Sequence, residues 1–397
     1  MENLLSAKSK SQPVPIEWEI LLEAVQRRTS AQRLSGLLSR RIDPAFLLAL
    51  AEQHSLVPAL AERLLQQQLG VSVPTELRHV LHEQQRSHAI FTLGLLAEMF
   101  RVLECLAAAN IEALLIKGPV LAVRCYGDAG ARQYTDVDLI VRTKNIERCT
   151  QIMVELGYEA HIPVQAIRAG KKPGEYVFRR AGTIIEFHTE DTFRYYPRGF
   201  SIEGVFARKT WVNIDQHGVP ALSVEDELIL VCIHAAKHVW KRLAWVADVA
   251  ALLSNSSLDW QAVISAARDV GAERMLRVGL LLASEMLGAP VPAAVVSYVH
   301  TDKAASQLAQ EIARRLHQGS GANPGILGRA VYRMKMTEGL LAGLAYLLRL
   351  SFSPTEEDWS DDSEAGQPGV VAAMSRPFRL ACPAHQRDCT ERARARV

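Results

Sequence analysis

Cysteine is scarce in this chain of 397 residues, and its six cysteines include no Cys-x-x-Cys pair. Zinc knuckles and disulfide scaffolds need closely spaced or numerous cysteines, so neither class is indicated. Scattered thiols of this kind are typical of proteins in a reducing compartment. We therefore expect a cytoplasmic protein.

Long apolar runs and an excess of one charge are also missing. The longest apolar run, from Leu340 to Leu348, is shorter than the roughly 18 residues of a membrane span. The amino-terminal stretch lacks the apolar segment of a signal peptide. The 45 basic and 43 acidic side chains nearly cancel, so the molecule has no overall field that attracts polyanions. We expect no membrane partner, and a bound polyanion has to be held by local groups.

Hydrophobic periodicity divides the chain into four parts. Residues 1–109 show helical spacing, 110–222 mix strand and helix patterns, 223–350 are helical again, and 351–397 form a polar, loop-rich tail. In the third part the helical pattern runs from Val224 through Leu253 without a break. The sequence predicts an α+β fold, with a small mixed β-sheet core and helices between flanking helical regions.

Four strands are predicted in the central part. Ala113 to Ile116 is an apolar run, ended by Lys117 and Gly118, with a helix beginning near Pro119. Residues 136–141 alternate as a half-buried strand does. Residues 175–180 and 183–188 flank Ala181-Gly182, a two-residue hairpin signal.

The clearest chemical signal is Asp136-Val137-Asp138. Side chains alternate along a strand, so both carboxylates face one side, about 6.5–7 Å apart at their Cα atoms. Two like charges on one sheet face are unfavourable unless a cation lies there, and paired Mg²⁺ ions suit two carboxylates and substrate phosphates. Taken alone, an Asp-x-Asp pair is more often a solvated strand face.

Nearby residues extend this pattern. Gly118 opens a helix after a strand, an arrangement that favours phosphate binding but also occurs as a plain turn. Lys117 and Arg132 carry charges that suit phosphate or solvent equally well. Glu186 lies on another predicted strand with His188 on the same face, so a third carboxylate can join the pair. For His188, an ordinary structural hydrogen bond is the simpler interpretation.

His234 and His238 have the i, i+4 spacing that places two imidazoles on one helix face. A metalloprotease needs Glu directly after the first His, and Ala235 stands there. We consider substrate-phosphate contacts and structural packing as the two main roles.

Taken together, these residues resemble the nucleotidyltransferase superfamily typified by DNA polymerase beta, and in particular its bacterial branch of uncharacterised nucleotidyltransferases, NTP_transf_5. The matching segments begin at Ile116-Lys-Gly-Pro, Tyr126-Gly-Asp, Arg132, Thr135-Asp-Val-Asp, Leu156-Gly-Tyr, Ile185-Glu-Phe-His, Leu222-Ser-Val-Glu, His234, Arg242, Phe352-Ser-Pro-Thr and Arg376-Pro. The resemblance extends from about Trp18 to Arg379.

The resemblance implies a set of roles. Asp136 and Asp138 would bind two metal ions, Mg²⁺ or alternatively Mn²⁺, and Glu186 would bind the catalytic one and help to deprotonate the acceptor. Gly118 would lie against the triphosphate of ATP or another nucleoside triphosphate. Further nucleotide contacts are expected from Lys117, Arg132, His188, His234 and His238. Pro119 departs from the superfamily's usual Gly-Ser or Gly-Gly turn, which removes a hydroxyl and a backbone donor.

The functional hypothesis is therefore a Mg²⁺-dependent transfer of a nucleoside monophosphate to a hydroxyl acceptor, with release of pyrophosphate. The acceptor is open: a small molecule, a protein or an RNA end. Two alternatives from other classes are a nucleotide-binding protein without turnover and a helical interaction scaffold whose acidic groups are merely solvated.

Overall fold

A computed structural model of the protein describes residues 14–26, 31–66, 73–170, 172–190, 197–198, 201–317 and 326–352. The predicted tail from position 353 onward lies outside the described residues, together with the motif residues expected there.

The described residues form helices and one sheet. The helices are α1 (Ile16–Val25), α2 (Ala31–Leu38), α3 (Pro44–Gln53), α4 (Val57–Leu65), α5 (Thr75–Ala108), α6 (Gly118–Tyr126), α7 (Ile146–Glu155), α8 (Val164–Arg168), α9 (Ile202–Ala207), α10 (Val224–Lys237), α11 (Leu243–Asn255), α12 (Trp260–Asp269), α13 (Glu273–Leu287), α14 (Ala293–His300), α15 (Lys303–His317), α16 (Ile326–Met336) and α17 (Leu340–Phe352). The strands are β1 (Ala113–Ile116), β2 (Val137–Val141), β3 (Glu159–Ala160), β4 (Glu175–Arg180), β5 (Thr183–His188), β6 (Thr210–Ile214) and β7 (His217–Ala221).

The sheet has the strand order β3-β4-β5-β2-β1-β7-β6. Pairing is parallel between β2 and β5 and between β1 and β7, and antiparallel between the other neighbours. The predicted mixed sheet with helices on both sides in sequence is confirmed. The β4–β5 hairpin turns at Ala181 and Gly182, both with positive φ, as its two-residue loop requires.

The hydrophobic pattern does not reveal the β6–β7 hairpin. Trp211 on β6 is apolar but 66% exposed. The apolar residues of β6 therefore do not simply alternate with polar ones, as they would in a typical half-buried strand. Asp215 and Gln216 form its turn with positive φ, a weaker sequence signal than Asn-Gly.

Two hydrophobic cores lie on opposite faces of the sheet. Alternate residues of β1 belong to different cores. Ala113 and Leu115 pack in a core with α5 and α7, while Leu114 and Ile116 pack in a core with α10, α11 and α13. The second core also includes the apolar residues of α1–α4. The division of the chain into four domains stays a prediction.

The prediction of one helix from Val224 through Leu253 is wrong. Helix α10 ends at Lys237 and α11 begins at Leu243. Between them Val239 and Trp240 have positive φ, and the Trp240 backbone N–H donates to Ala235 O. The Trp240 side chain is 1% exposed, so its burial compensates for an unfavourable backbone conformation.

Within the described part of the chain, none of the helices combines the length and the apolar character that crossing a bilayer requires.

Candidate active site

Parallel pairing of β2 with β5 places Asp138 directly beside Glu186. The same register pairs Ile140 with His188. Because residues two apart on a strand share a face, Asp138 and Ile140 point to the same side, as do Glu186 and His188. Ile140 belongs to the core that contains α10 and α11, so this polar group lies on the sheet face toward those helices.

Asp138, Glu186 and His188 form a compact set of potential metal ligands. One ligand atom from each lies within 4.8 Å of the others, a condition that no further His, Cys, Asp or Glu group meets in the described part of the chain. His188 Nε2 lies 2.6 Å from Asp138 Oδ1 and 3.8 Å from Glu186 Oε2. Asp138 is 4% exposed and His188 is 6% exposed.

Asp136 lies just before β2 and is not in that set of three. Burial, followed by the charge of Asp138, raises the pKa of Asp136 to about 6. The two aspartates are therefore close enough for their charges to interact. Their role as metal ligands stays a prediction.

Lys117 supplies a positive charge to this acidic group. Its Nζ donates to Asp138 Oδ2 at 3.2 Å. Burial alone would lower the pKa of Lys117, but the charges of Asp138, Asp136 and Glu186 raise it, so the ammonium group is charged. Burial would likewise raise the pKa of Asp138, but Lys117 and the hydrogen bond from His188 hold it well below its usual value.

Glu186 is in the opposite situation. Burial raises its pKa well above the ordinary value, and the charges of Asp138, Glu175 and Asp136 raise it further. Lys117 acts in the other direction but does not outweigh them. One positive side chain thus does not neutralise the carboxylates on this sheet face, and a further cation would stabilise the ionised form of Glu186.

The turn between β1 and α6 runs beside the acidic group. Lys117 has φ 53° and ψ −139°, and Gly118 has φ 36°. A Cβ added at Gly118 would lie 3.5 Å from the backbone oxygen of Asp136, so the two segments approach closely. Gly118 and Pro119 form the first turn of α6. The predicted contact of Gly118 with a triphosphate stays a prediction.

Arg132 forms an ion pair with Asp248, a partner that the sequence analysis did not predict. Its guanidinium donates to both oxygens of Asp248, at 3.0–3.1 Å, and Tyr126 Oη donates to Oδ1 of the same residue at 3.0 Å. Arg132 and Asp248 are separated by 116 positions, so no local pattern marks the pair. The predicted contact of Arg132 with nucleotide stays a prediction.

His234 and His238 lie together at the end of α10. Their ring centroids are 4.7 Å apart, and Trp245 of α11 lies 5.5 Å from His234 and 5.6 Å from His238. Burial, followed by nearby cations such as Lys117 and Lys237, lowers the pKa of both histidines well below the ordinary value. Both imidazoles are therefore neutral. Trp245 is 6% exposed, so it packs in the interior.

The α10–α11 turn adds a positive charge, that of Arg242, which the sequence analysis did not assign to the site. Arg242, at the beginning of α11, lies close enough to Asp136 for the two charges to interact. The proximity of Arg242 to Asp136 depends on the break between α10 and α11, which the uninterrupted apolar pattern conceals.

The chain matches one known protein family. The model of the family NTP_transf_5, uncharacterised nucleotidyltransferase, matches residues 40–288, more than half of the chain. The chain belongs to this family. The matched segment of this NTP_transf_5 protein contains both predicted aspartates, Glu186 and the two histidines of α10.

Among curated proteins, none matches the chain significantly. Among solved structures, this NTP_transf_5 protein is similar to an antigenic nucleotidyltransferase-like protein from Paracoccidioides brasiliensis. The two are 18% identical, with 53% of this chain and 96% of the other covered and a TM-score of 0.30.

Proposed function

We propose that the protein is a Mg²⁺-dependent nucleotidyltransferase that transfers a nucleoside monophosphate from a nucleoside triphosphate to a hydroxyl acceptor and releases pyrophosphate. Membership of the nucleotidyltransferase family supports the proposal. The observation that carries it is the pairing of Asp138 with Glu186 on a buried sheet face where Lys117 alone does not balance the negative charge.

The donor set fits a divalent ion. Asp138 and Glu186 offer the carboxylate oxygens that Mg²⁺ prefers, and Asp136 is a nearby third carboxylate. His188 offers an imidazole nitrogen, a ligand that Mn²⁺ tolerates better than Mg²⁺, or it orients Asp138 through their hydrogen bond. When bound, the metal would neutralise charge on the phosphate oxygens and polarise the α-phosphoryl group.

The triphosphate would lie between the Lys117–Gly118 turn and the α10–α11 turn. Lys117 is a charged donor, and the first turn of α6 presents backbone dipoles that favour an anion. Arg242 supplies a second positive charge, and neutral His234 and His238 can each donate one N–H to a phosphate oxygen.

The reaction itself requires one new bond and one broken bond. The acceptor oxygen bonds to the α-phosphorus, the bond from that phosphorus to the bridging oxygen of the β-phosphate breaks, and pyrophosphate leaves with the electron pair. Glu186 accepts the proton of the acceptor hydroxyl. A cation beside Glu186 would keep this carboxylate ionised and able to accept the proton.

Asp138→Asn and Asp136→Asn test the proposal, because asparagine keeps the side-chain volume and removes the charge. With α-labelled ATP, GTP, CTP or UTP, Mg²⁺ and cell extract, we expect the wild type to release pyrophosphate and to transfer label. Each variant should lose more than about 100-fold in rate, since even outer partners of metal ligands are worth 10–100-fold. Glu159→Gln, an exposed carboxylate on edge strand β3, is the matched control.

Unchanged turnover in folded Asp138→Asn and Asp136→Asn would exclude these residues from the mechanism. A nucleotide-binding protein without turnover is the second candidate, because Pro119 removes a backbone donor from the phosphate turn. That candidate predicts a nucleotide-dependent rise in melting temperature with no pyrophosphate released.

A further inference from the structure

We propose that a cavity between α4, α5 and the segment after α6 binds the hydroxyl acceptor, and that this acceptor is a small neutral or cationic compound rather than a nucleic acid end. The inference rests on the proposed nucleotidyl transfer and names the substrate class that the same site would take.

The cavity has the size and position that an acceptor site needs. Its volume is about 800 Å³, within the range of small-molecule pockets. Thr135 lines it, and the next residue is Asp136, about 3.8 Å further along the backbone. The cavity therefore lies close to Asp136 along the backbone, although none of the three proposed catalytic carboxylates is among its lining residues.

The charges around the cavity select against a polyanion. Glu52, Glu62 and Asp128 line it, whereas no Lys or Arg occurs among its described lining residues. His88 also lines it, and burial lowers the pKa of this histidine, so it adds no positive charge at neutral pH. Proteins bind nucleic acids largely by neutralising phosphates with Lys and Arg, so this cavity would repel such an acceptor.

Polar groups in the wall suit a hydroxyl-bearing ligand. Thr92 is 3% exposed and Tyr134 is 7% exposed, and their two hydroxyls lie close enough to interact with each other. The Oε1 of Gln133 is buried in the same wall and has no hydrogen-bond partner in the described structure. Buried polar groups are nearly always satisfied, so a ligand hydroxyl or an ordered water would complete the bonding of Gln133.

The rim adds apolar surface. Phe91 and Leu93 line the cavity from α5 and are 40% and 66% exposed. Carbon-rich faces of a ring compound would cover them, while its hydroxyl groups reach the polar wall.

The surroundings of Asp136 thus differ in charge on its two sides. Lys117 and Arg242 bring positive charge from the β1–α6 and α10–α11 turns, where the triphosphate is proposed to lie, and the charge of Arg132 is paired with Asp248. Acidic and neutral side chains line the cavity beside Thr135. Such a separation keeps the anionic donor and a neutral or cationic acceptor in different places, which reduces nonproductive binding.

The test separates the two proposals. The low-molecular-weight filtrate of a cell extract is separated on an anion exchanger. Four samples are then incubated with α-labelled nucleoside triphosphate and Mg²⁺: the unbound neutral and cationic fraction, the eluted anionic fraction, total RNA and the protein alone. We expect label to enter compounds of the unbound fraction. Label in RNA, in the protein itself or only in anionic compounds would overturn the inference and leave nucleotidyl transfer standing.

Two variants connect the result to the cavity. Ala89→Trp places a large ring at an exposed lining position of α5, and Ala97→Trp makes the same change on that helix outside the cavity. We expect Ala89→Trp to lower transfer about tenfold or more while Mg²⁺ with nucleotide still raises its melting temperature, and Ala97→Trp to match the wild type. Equal transfer in both variants would overturn the inference. Absence of labelling in every fraction would remove both proposals.

Charge reversal gives a second readout. Glu52→Lys with Glu62→Lys should reduce labelling of cationic acceptors more than of neutral ones, whereas Glu83→Lys, an exposed α5 position outside the cavity, should change neither. An equal reduction for both acceptor types would contradict the electrostatic part of the inference.

Discussion

Buried charges with specific partners hold the residues around the site in place. Asp138 accepts hydrogen bonds from Lys117 and His188, and Asp248 accepts two from Arg132. Asp248 is 1% exposed and belongs to α11, whereas Arg132 precedes β2. The ion pair therefore fixes the segment that leads into β2 against the helical layer.

We predict that Asp248→Ala lowers the free energy of unfolding by about 3–5 kcal/mol, because it leaves the buried Arg132 charge without its partner. Urea denaturation measures the loss. Asp248→Asn, which keeps a hydrogen-bond acceptor, should lose less. A loss below about 1 kcal/mol for Asp248→Ala would show that the pair behaves as an exposed ion pair.

Sequence alone could predict part of the site. The Ala181-Gly182 signal correctly defines the hairpin that contains Glu186, whereas Asp136 lies just before β2, where strand periodicity does not fix its side relative to Asp138. The partners that set the electrostatics are distant in sequence. Asp248 reaches Arg132 only because α11 packs against α6, and no pattern near either residue contains that information.

At the scale of elements, the α10–α11 corner shows why periodicity was insufficient. Apolar residues continue on both sides of the break since α10 and α11 are both buried, so the hydrophobic pattern cannot reveal the change of direction. Trp240 is buried at that corner beside Gly279 of α13. The break between the helices thus coincides with the tertiary burial of Trp240, which the local pattern does not contain.

We predict that Gly279→Ala destabilises the protein by about 1–3 kcal/mol. An added Cβ would lie 2.6 Å from Cys232 Sγ and 3.2 Å from the Trp240 ring, and both side chains are buried. Gly36→Ala is the matched control, because it is helical and exposed with no atom within 4 Å of the added Cβ. This control should be stabilised by about 0.5–1 kcal/mol. Thermal unfolding of both variants measures these two effects. Equal shifts in melting temperature would refute close packing at Gly279.

We predict that His54 makes stability depend on pH. Its Nδ1 accepts from the Leu243 N–H at 3.1 Å, which joins the end of α3 to the beginning of α11. Burial, followed by the charge of Arg242, lowers the pKa of His54 from 6.5 to about 4. Because the unfolded chain takes up the proton first, stability conferred by neutral His54 is lost as the pH falls from about 6.5 toward 4.

The measurement is urea denaturation across that pH range for the wild type and for His54→Asn, which keeps an acceptor near Nδ1 and does not titrate. The wild type should lose more stability than the variant. Parallel pH profiles would show that His54 takes up its proton equally in the folded and the unfolded chain.

At the scale of the whole molecule, the sheet separates two cores that combine distant parts of the chain. Helices α1–α4 pack in the same core as α10–α15, although more than 100 residues of sheet and helix lie between them in sequence. Local patterns predicted the α+β class and the helical flanks correctly. They could not predict that the flanks share a core, because association between helices depends on surfaces that many helices have in common.

The acidic sheet face is the feature on which the functional account depends. Melting temperatures of the wild type and of Asp138→Asn, each with and without Mg²⁺ and a nonhydrolysable nucleoside triphosphate analogue, test it most directly. At about 100 times the dissociation constant, binding adds about 2.7 kcal/mol to wild-type stability, a rise of about 3 °C for a chain of this length. We expect that rise in the wild type and none in Asp138→Asn. The same rise in both proteins, or none in the wild type, would contradict the account.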